Sequence, residues 1–316
     1  MKTIKEFEFF YEKELVSVLK PLDNQRKSFL KKFFLLWFLL IVLIGVLVFF
    51  LKIRGILIGV SLLVVGWFIF RHFYRKFKKK LKTEYKNGVI NRMISFLDSR
   101  LEYNPEDGIS RKTFVASSLF TEYVSKYSTE DLVTGLIGET AISFAEVHAQ
   151  TEHNDSGQKS YHDIFRGLFF AADFNKHFHS RTVVVPDFFE NSLGGIGRYI
   201  QKNTVWGGTD PLIKLEDPQF EKYFAVYGLD EVEARYILTP SLMQRLTKFR
   251  LENGYIWFSF VDGHFFLALP VMSNLFDPRM FKSALDPELL KKYVSYVSLM
   301  ISIVEDLNLN TRIWSK

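Results

Sequence analysis

The chain has 316 residues, with 41 Lys and Arg against 35 Asp and Glu, and no cysteine. The missing cysteine excludes a disulfide-stapled fold and a thiol nucleophile. Residues 1–82 hold 17 of the 41 cations against 5 acids, which leaves 24 cations against 30 acids in the rest, so the folded part lacks the basic surface a nucleic-acid-binding domain needs.

Ile4, Phe7, Tyr11, Leu15, Val18 and Leu22 recur at three- and four-residue intervals, which predicts an amphipathic helix ending or bending at Pro21. Its apolar stripe needs a cover: the cytosolic domain, a second subunit, or the membrane interface. Glu6, Glu8, Glu12 and Glu14 argue for protein over anionic lipid.

Two apolar stretches follow, Phe33 to Leu51 and Gly55 to Phe70, interrupted only by Lys52-Ile53-Arg54. About 20 apolar residues in a helix cross a hydrocarbon core of about 30 Å, where backbone amides must bond internally. The second stretch is shorter, and Trp67 with the stems of Arg54 and Arg71 extends it to the interface. A transmembrane hairpin over 33–70 is the reading. A buried hairpin in a soluble core is disfavoured because no acid or amide occurs in either stretch. A signal peptide is disfavoured by the late start and the lack of a small-residue cleavage site.

Lys20, Arg26, Lys27, Lys31 and Lys32 precede the first stretch, and Arg71, Arg75, Lys76, Lys78, Lys79, Lys80 and Lys82 follow the second. By the positive-inside rule both termini are cytoplasmic. The 71–82 cluster also has the composition for contact with anionic lipid headgroups, about 1 kcal/mol per cation. A plain topology signal is the simpler explanation, and both can hold.

Phe73, Phe77, Leu81 and Tyr85 continue the second stretch as a helix. Gly88 weakens it, Ile90, Ile94, Leu97 and Leu101 resume it, and Asn104-Pro105 and Asp107-Gly108 break it. From Asp131 the period changes to strands: Leu132–Ile137 and Thr140–Gln150 around Gly138-Glu139, then Ile164–Ala172 and Arg181–Val185, all neighbours and antiparallel. The polar run from Glu152 to Ser160 is expected to be an exposed loop, and the glycine-rich 188–210 segment a long irregular one. Asp217-Pro218, Thr239-Pro240 and Asp286-Pro287 each place a capping side chain before a proline, marking three helix starts. Asp262-Gly263 between two apolar runs marks a hairpin. A closing helix shows Leu289, Tyr293, Tyr296, Met300, Val304 and Leu307 on one side.

Candidate chemistry is sparse. His177 and His179, two apart, share one face of a strand, and Glu146 with His148 forms a similar pair. His153, Asp155 and His162 lie nearby. No metal-binding spacing such as HExxH occurs, so these histidines, His148 among them, remain weak ligand candidates and no metal or other cofactor is expected. Gly194-Gly195-Ile196-Gly197-Arg198 lacks the lysine and hydroxyl of a phosphate loop, and no GxSxG arrangement of serine is present.

Glu130-Asp131-Leu132-Val133-Thr134-Gly135, Gly167–Phe178, Lys214–Gly228 and Asp230–Leu246 together resemble a bacterial family of unknown function numbered 3137, some of whose members carry a misleading galanin label. The likeness spans about residues 85 to 310. It implies two N-terminal spans and a cytosolic domain in the bacterial cytoplasmic (inner) membrane, and a LemA-type membrane protein as partner. It supplies no catalytic residues. Within its hallmark run, Phe220, Phe224 and Tyr227 are read as packing positions, while Glu216, Asp217, Asp230 and Arg235 cap or pair, Arg235 being the first suspect for a buried ion pair.

The expected architecture is α+β: an amphipathic N-terminal helix with its basic flank (1–32), a two-helix transmembrane hairpin (33–70), a basic juxtamembrane helical stalk (71–128), and a cytosolic antiparallel-sheet domain with a C-terminal helix (129–316). Two functional readings stand. One is a membrane-anchored binding or scaffold module that engages a protein partner or lipid headgroups and forms homo-oligomers. The alternative is a membrane-bound enzyme, such as a metal-dependent hydrolase, with its site at the 188–210 loop and His177/His179. The topology is testable in this cysteine-free chain: Lys52→Cys is expected to react with an impermeant maleimide added to intact spheroplasts, and Ser128→Cys only after permeabilisation.

Overall fold

The structure is a computed structural model, and it describes residues 4–155, 158–173, 179–186, 210–271 and 274–306. The chain divides into two units, residues 1–93 with 276–294 and residues 94–275 with 295–316.

In the first unit, α1 (Ile4–Phe10) passes through a π-helical turn (Tyr11–Leu15) into α2 (Val16–Leu51). The helix does not end at Pro21. The proline ring removes a donor to the Ser17 carbonyl, at a cost of about 3 kcal/mol in a helix interior. Burial of Leu15, Leu19 and Leu22 on either side holds the helix through it, and the irregularity falls in the π turn instead.

Lys52 alone separates α2 from α3 (Ile53–Tyr85), with φ 48° and its N–H on the Val48 carbonyl at 3.0 Å. The fold-back depends on two glycines. A Cβ on Gly55 would stand 2.2 Å from the Leu47 carbonyl oxygen, and one on Gly59 2.7 Å from Ile44. Outward positions such as Phe34, Phe38 and Phe49 before the turn and Ile53, Leu57 and Phe68 after it are exposed, and both helices are long and apolar enough to cross a membrane. A second π turn (Lys86–Ile90) leads into α4 (Asn91–Leu97).

The amphipathic stripe is covered within its own unit: Phe7, Phe10, Leu15, Leu19 and Leu22 are buried. The anchor for that cover is ionic. Asp23, fully buried, accepts from Arg26 Nε (3.0 Å) and the Ala284 N–H (2.9 Å) and pairs with Lys27 (2.9 Å), while Arg26 Nη1 donates to the Met280 carbonyl at 2.9 Å. Tyr11 donates to the Leu285 carbonyl at 2.8 Å. Asp277 takes Lys82 at 3.0 Å and the buried Lys86 at 3.5 Å. Burial opposes ionisation of Asp23, but hydrogen bonds from Lys27, Ala284 and Arg26 together with the Arg26 charge outweigh it and hold the carboxyl at about 2.

In the second unit β1 (Leu101–Asn104), β2 (Lys126–Ile137), β3 (Thr140–Asp155), β4 (Gln158–Asp173), β5 (Thr182–Pro186), β6 (Leu212–Ile213), β7 (Phe224–Gly228), β8 (Trp257–Val261) and β9 (His264–Pro270) form one sheet among the described residues, in the order β1-β2-β3-β4-β9-β8-β5-β7-β6. Every pairing is antiparallel. A single register row crosses the whole sheet: Tyr103, Val133, Phe144, Phe170, Leu267, Phe258, Val184, Val226 and Ile213 stand opposite one another in turn. Cross-strand partners point to the same face, and all of these except the half-buried Tyr103 are buried. The other face packs Ala145, Val147, Phe169, Trp257 and Phe266 against Phe114 of α5 (Arg111–Ala116) and Leu119.

Four sequence expectations change. Leu101 begins a strand rather than continuing a helix. The Glu152–Ser160 run is not a loop: β3 and β4 stay paired out to Asp155 and Gln158, because their backbones satisfy each other where side chains bury little. β5 is not a neighbour of β4 but lies between β8 and β7, which suits five residues buried on both faces. On α9 (Pro287–Asp306) the buried line runs through Leu290, Tyr293, Val297, Met300, Ile301 and Val304, so Leu289 and Tyr296 stand only half-buried beside it. Leu307 and the 188–209 loop, with its Gly194–Arg198 run, lie outside the described residues.

The predicted turns and caps are present. Asp262 and Gly263 carry φ 48° and 75°, as a type I′ hairpin requires, and Gly138 at φ 62° opens the β2–β3 turn. Asp217 caps α6 (Pro218–Glu221), Asp230 caps α7 (Glu231–Ile237), and Thr239 caps α8 (Pro240–Asn253). Asp286 accepts from the Glu288 N–H at 3.1 Å at the start of α9.

Asp23 sets a stability prediction. Its folded pKa lies below the unfolded value, so its contribution, about 2 kcal/mol, is full above about pH 4 and is lost as pH falls towards 2. Asp23→Ala leaves Arg26 buried without its partner and is expected to cost about 3–5 kcal/mol. Thermal unfolding in detergent is the check: the variant melts lower at pH 7 and loses less than the wild type between pH 4 and 2.

Candidate functional site

Along β3 the face that carries Phe144 turns polar at Glu146 and continues with His148 and Gln150, because alternate residues share a face. Cross-strand neighbours follow suit: Glu130 and Leu168 oppose Glu146, and Ser128 and Arg166 oppose His148. The result is a cleft of about 380 Å³ on β2–β4, walled by Val271, Asn274 and Leu275. Gly167 allows the wall to approach, since a Cβ there would lie 2.1 Å from the Leu269 carbonyl oxygen. The Val271 N–H then bonds the Arg166 carbonyl at 3.0 Å.

A bulge in β2 between Glu130 and Val133 brings acids together. Asp131, fully buried at φ 64°, accepts a short hydrogen bond from the Tyr103 hydroxyl. Burial first, and then the Asp131 charge, pushes the Tyr103 phenol far above its ordinary pKa. Carboxylate oxygens of Glu130, Asp131 and Glu146 lie within 4.8 Å of one another. Oxygen donors of that kind suit a hard divalent cation. Each is also engaged by protein: Glu146 accepts from the Leu275 N–H at 2.6 Å and Glu130 from Asn274 at 3.3 Å, while Arg166 Nη2 donates to Asn274 Oδ1 at 2.9 Å. The cluster is therefore a brace between β2, β3 and the 271–275 wall.

His148 Nε2 lies 2.6 Å from Asp163 Oδ1, which also accepts from Gln150 Nε2 at 2.7 Å. Ser128 stands opposite His148, and among the described residues no hydrogen bond joins them. His179 is held through its backbone: Glu233 accepts from the N–H groups of His179 and Ser180, both at 2.7 Å, and these bonds lower the Glu233 pKa against opposing burial. His177 lies outside the described residues, with most of the 188–210 loop. Among the described residues no histidine belongs to a three-ligand set. His153 and His162 meet ring to ring at 4.8 Å on the exposed β3–β4 arm.

The basic cluster lies on the C-terminal part of α3, beyond its apolar stretch. Arg71 covers the Trp67 ring at 5.1 Å, Arg75, Lys76, Lys78, Lys79 and Lys80 are exposed, Lys80 lies 3.6 Å from Glu84, and Lys82 is engaged by Asp277. In the hallmark run, Phe220 and Phe224 are buried with ring centroids 4.8 Å apart, and Tyr227 is half-buried opposite Val183. Arg235 makes no buried pair: partly exposed, it bonds Glu231 (2.7 Å), Glu216 (3.2 Å) and the Lys214 carbonyl (2.9 Å). An exposed arginine on a seven-residue helix reaches solvent-side acids at lower desolvation cost than a buried one.

Sequence reasoning paired Glu146 with His148 and singled out Glu130-Asp131 as part of a motif, but it missed Arg166 and Asn274. The adjacent acids inside a β-branched run were the available signal.

Residues 163–309 match the family described as "Protein of unknown function (DUF3137)". No curated protein matches the chain. Among solved structures, the crystal structure of the mycobacterial trehalose monomycolate transport factor A, TtfA, is similar at 11% identity over 69% of this chain and 95% of that chain, with a TM-score of 0.38, a likeness too slight to carry an inference.

Tyr103→Phe removes the hydroxyl from buried Asp131 and is expected to lower stability by about 2 kcal/mol, read as a lower urea midpoint in detergent.

Proposed function

The chain belongs, through residues 163–309, to the DUF3137 family of unknown function, and from that premise we propose that it is a membrane-anchored binding module whose sheet unit faces the cytoplasm of a bacterial cell. The observation that carries this reading is the hairpin of α2 and α3: two helices with exposed apolar faces, joined by one residue and flanked by cations on the side away from the turn. The positive-inside rule then puts both termini in the cytoplasm, and the exposed cations from Arg71 to Lys80 meet anionic headgroups. Domain limits follow the same logic, with the spans at 33–70 and the basic continuation beyond.

The cleft on β2–β4 is the binding surface. Its lining combines a guanidinium, an imidazole, two carboxylates and hydroxyls already fixed by hydrogen bonds, which suits a polar protein segment carrying both charges. A LemA-type membrane protein is the partner that the family resemblance suggests, and a scaffold formed by several copies is the related version.

The test is photo-crosslinking in native membranes with a reactive residue at Ser128. One dominant protein adduct is expected, reduced at least about tenfold by Arg166→Glu, a loss of about 1.4 kcal/mol or more. Adducts to lipid alone, or to a second copy of the chain, would move the surface to headgroup binding or self-association.

A further inference from the structure

The two helices of the hairpin do not stay equally close. Near the turn Gly55 and Gly59 let α3 press against α2, whereas towards the cytosolic end stacked rings fill the contact, Phe33 on Phe70 at 4.0 Å and Phe29 on Phe77 at 4.2 Å. Bulky rings hold helices further apart than glycines do. Between these two zones α3 carries Gly66, where a Cβ would stand 3.1 Å from Leu40 Cδ2. The consequence is a groove of about 460 Å³ between the two helices, within the size range of about 300–1,000 Å³ typical of ligand sites. From Phe29 to Leu40 it runs about 16 Å at 1.5 Å per residue.

The lining is apolar throughout except at one end. Leu36, Leu40, Gly66, Ile69 and Phe73 form its length, and Lys32 stands at the cytosolic rim. On α3, Lys76 follows Ile69 and Phe73 at seven- and three-residue spacing, so it continues the same helix face one turn beyond the groove, exposed. An occupant that matches this surface is apolar over its length and anionic at the cytosolic end.

We propose that the groove between α2 and α3 holds one acyl chain of an anionic glycerophospholipid, with the phosphate held by Lys32 and Lys76. The proposal rests on the membrane-spanning reading of the hairpin, and charge complementarity selects the headgroup. A second copy of the hairpin would bury Lys32 against another cationic rim. A zwitterionic lipid such as phosphatidylcholine brings a phosphate but no net negative charge to offset the two cations. Gly66 keeps the groove floor free of a side chain, and Lys32 with Lys76 acts as the selectivity element.

The experiment uses the full chain purified in a neutral maltoside detergent and offered an equimolar mixture of phosphatidylglycerol and phosphatidylcholine, with bound lipid counted by native mass spectrometry. Wild type is expected to retain one phosphatidylglycerol, favoured about fivefold or more over phosphatidylcholine. Gly66→Leu fills the groove and is expected to lose bound lipid of both kinds. Lys32→Gln with Lys76→Gln, both at exposed positions that leave the core intact, is expected to keep one lipid and lose the preference.

Equal binding of the two lipids by wild type overturns the proposal. So does undiminished lipid on Gly66→Leu, or a lipid-free dimer as the main species. Carbonate extraction of the same membranes separates the two levels of the argument: protein released by carbonate refutes the membrane anchor itself, while protein retained without lipid selection refutes only the groove.

Discussion

Among the described residues, nine strands that arise far apart in the chain are made into one sheet by a single row from the half-buried Tyr103 to the buried Ile213. No local signal brings β5 between β8 and β7, or β9 beside β4. Apolar side chains at one register level do, since every strand but β1, which brings Tyr103, offers a Val, Ile, Leu or Phe there and a slip of one residue would turn that set to the opposite face. The candidate cleft inherits its position from this row. It begins one step along β3, where Phe144 gives way to Glu146, and one step along β2, where the bulge after Glu130 swings Asp131 under Tyr103.

The first unit is organised by the opposite chemistry. Its helices need little instruction to form, but their faces must be joined to the 276–294 segment, and a buried carboxylate does that. Asp23 binds one backbone N–H and two cations, and Arg26 passes the connection on to Met280. An ion pair in such a place contributes less to net stability than to choosing one docking register among many apolar ones. The π turns at 11–15 and 86–90 accompany it, and the second packs closely on α2: a Cβ on Gly88 would meet Val18 at 3.2 Å.

Much of this was legible in the residues. Asp262-Gly263 and Gly138 specify turns because they accept positive φ, and Asp217, Thr239 and Asp286 announce helices because each is followed by a proline that fits the first turn. The hairpin of α2 and α3 follows from composition alone. What stayed hidden depends on distant partners. Asp23 and Arg26 look like solvated helix charges until the 276–294 segment covers them. The polar residues from Glu152 to Ser160 look like a loop because strand pairing there is carried by backbone bonds. The cleft was only half visible, since Glu146 and His148 are neighbours in the chain whereas Arg166, Asn274 and Leu275 arrive from two later segments.

The sheet's outer strands have a consequence for how copies of the chain can meet. Among the described residues the end strands are short, β1 with four residues and β6 with two, so neither end strand offers more than a brief line of backbone groups as a template. Brief rims are a common defence against edge-to-edge fusion of sheets. Short end strands favour contact between copies through helix surfaces and side-chain recognition over strand extension.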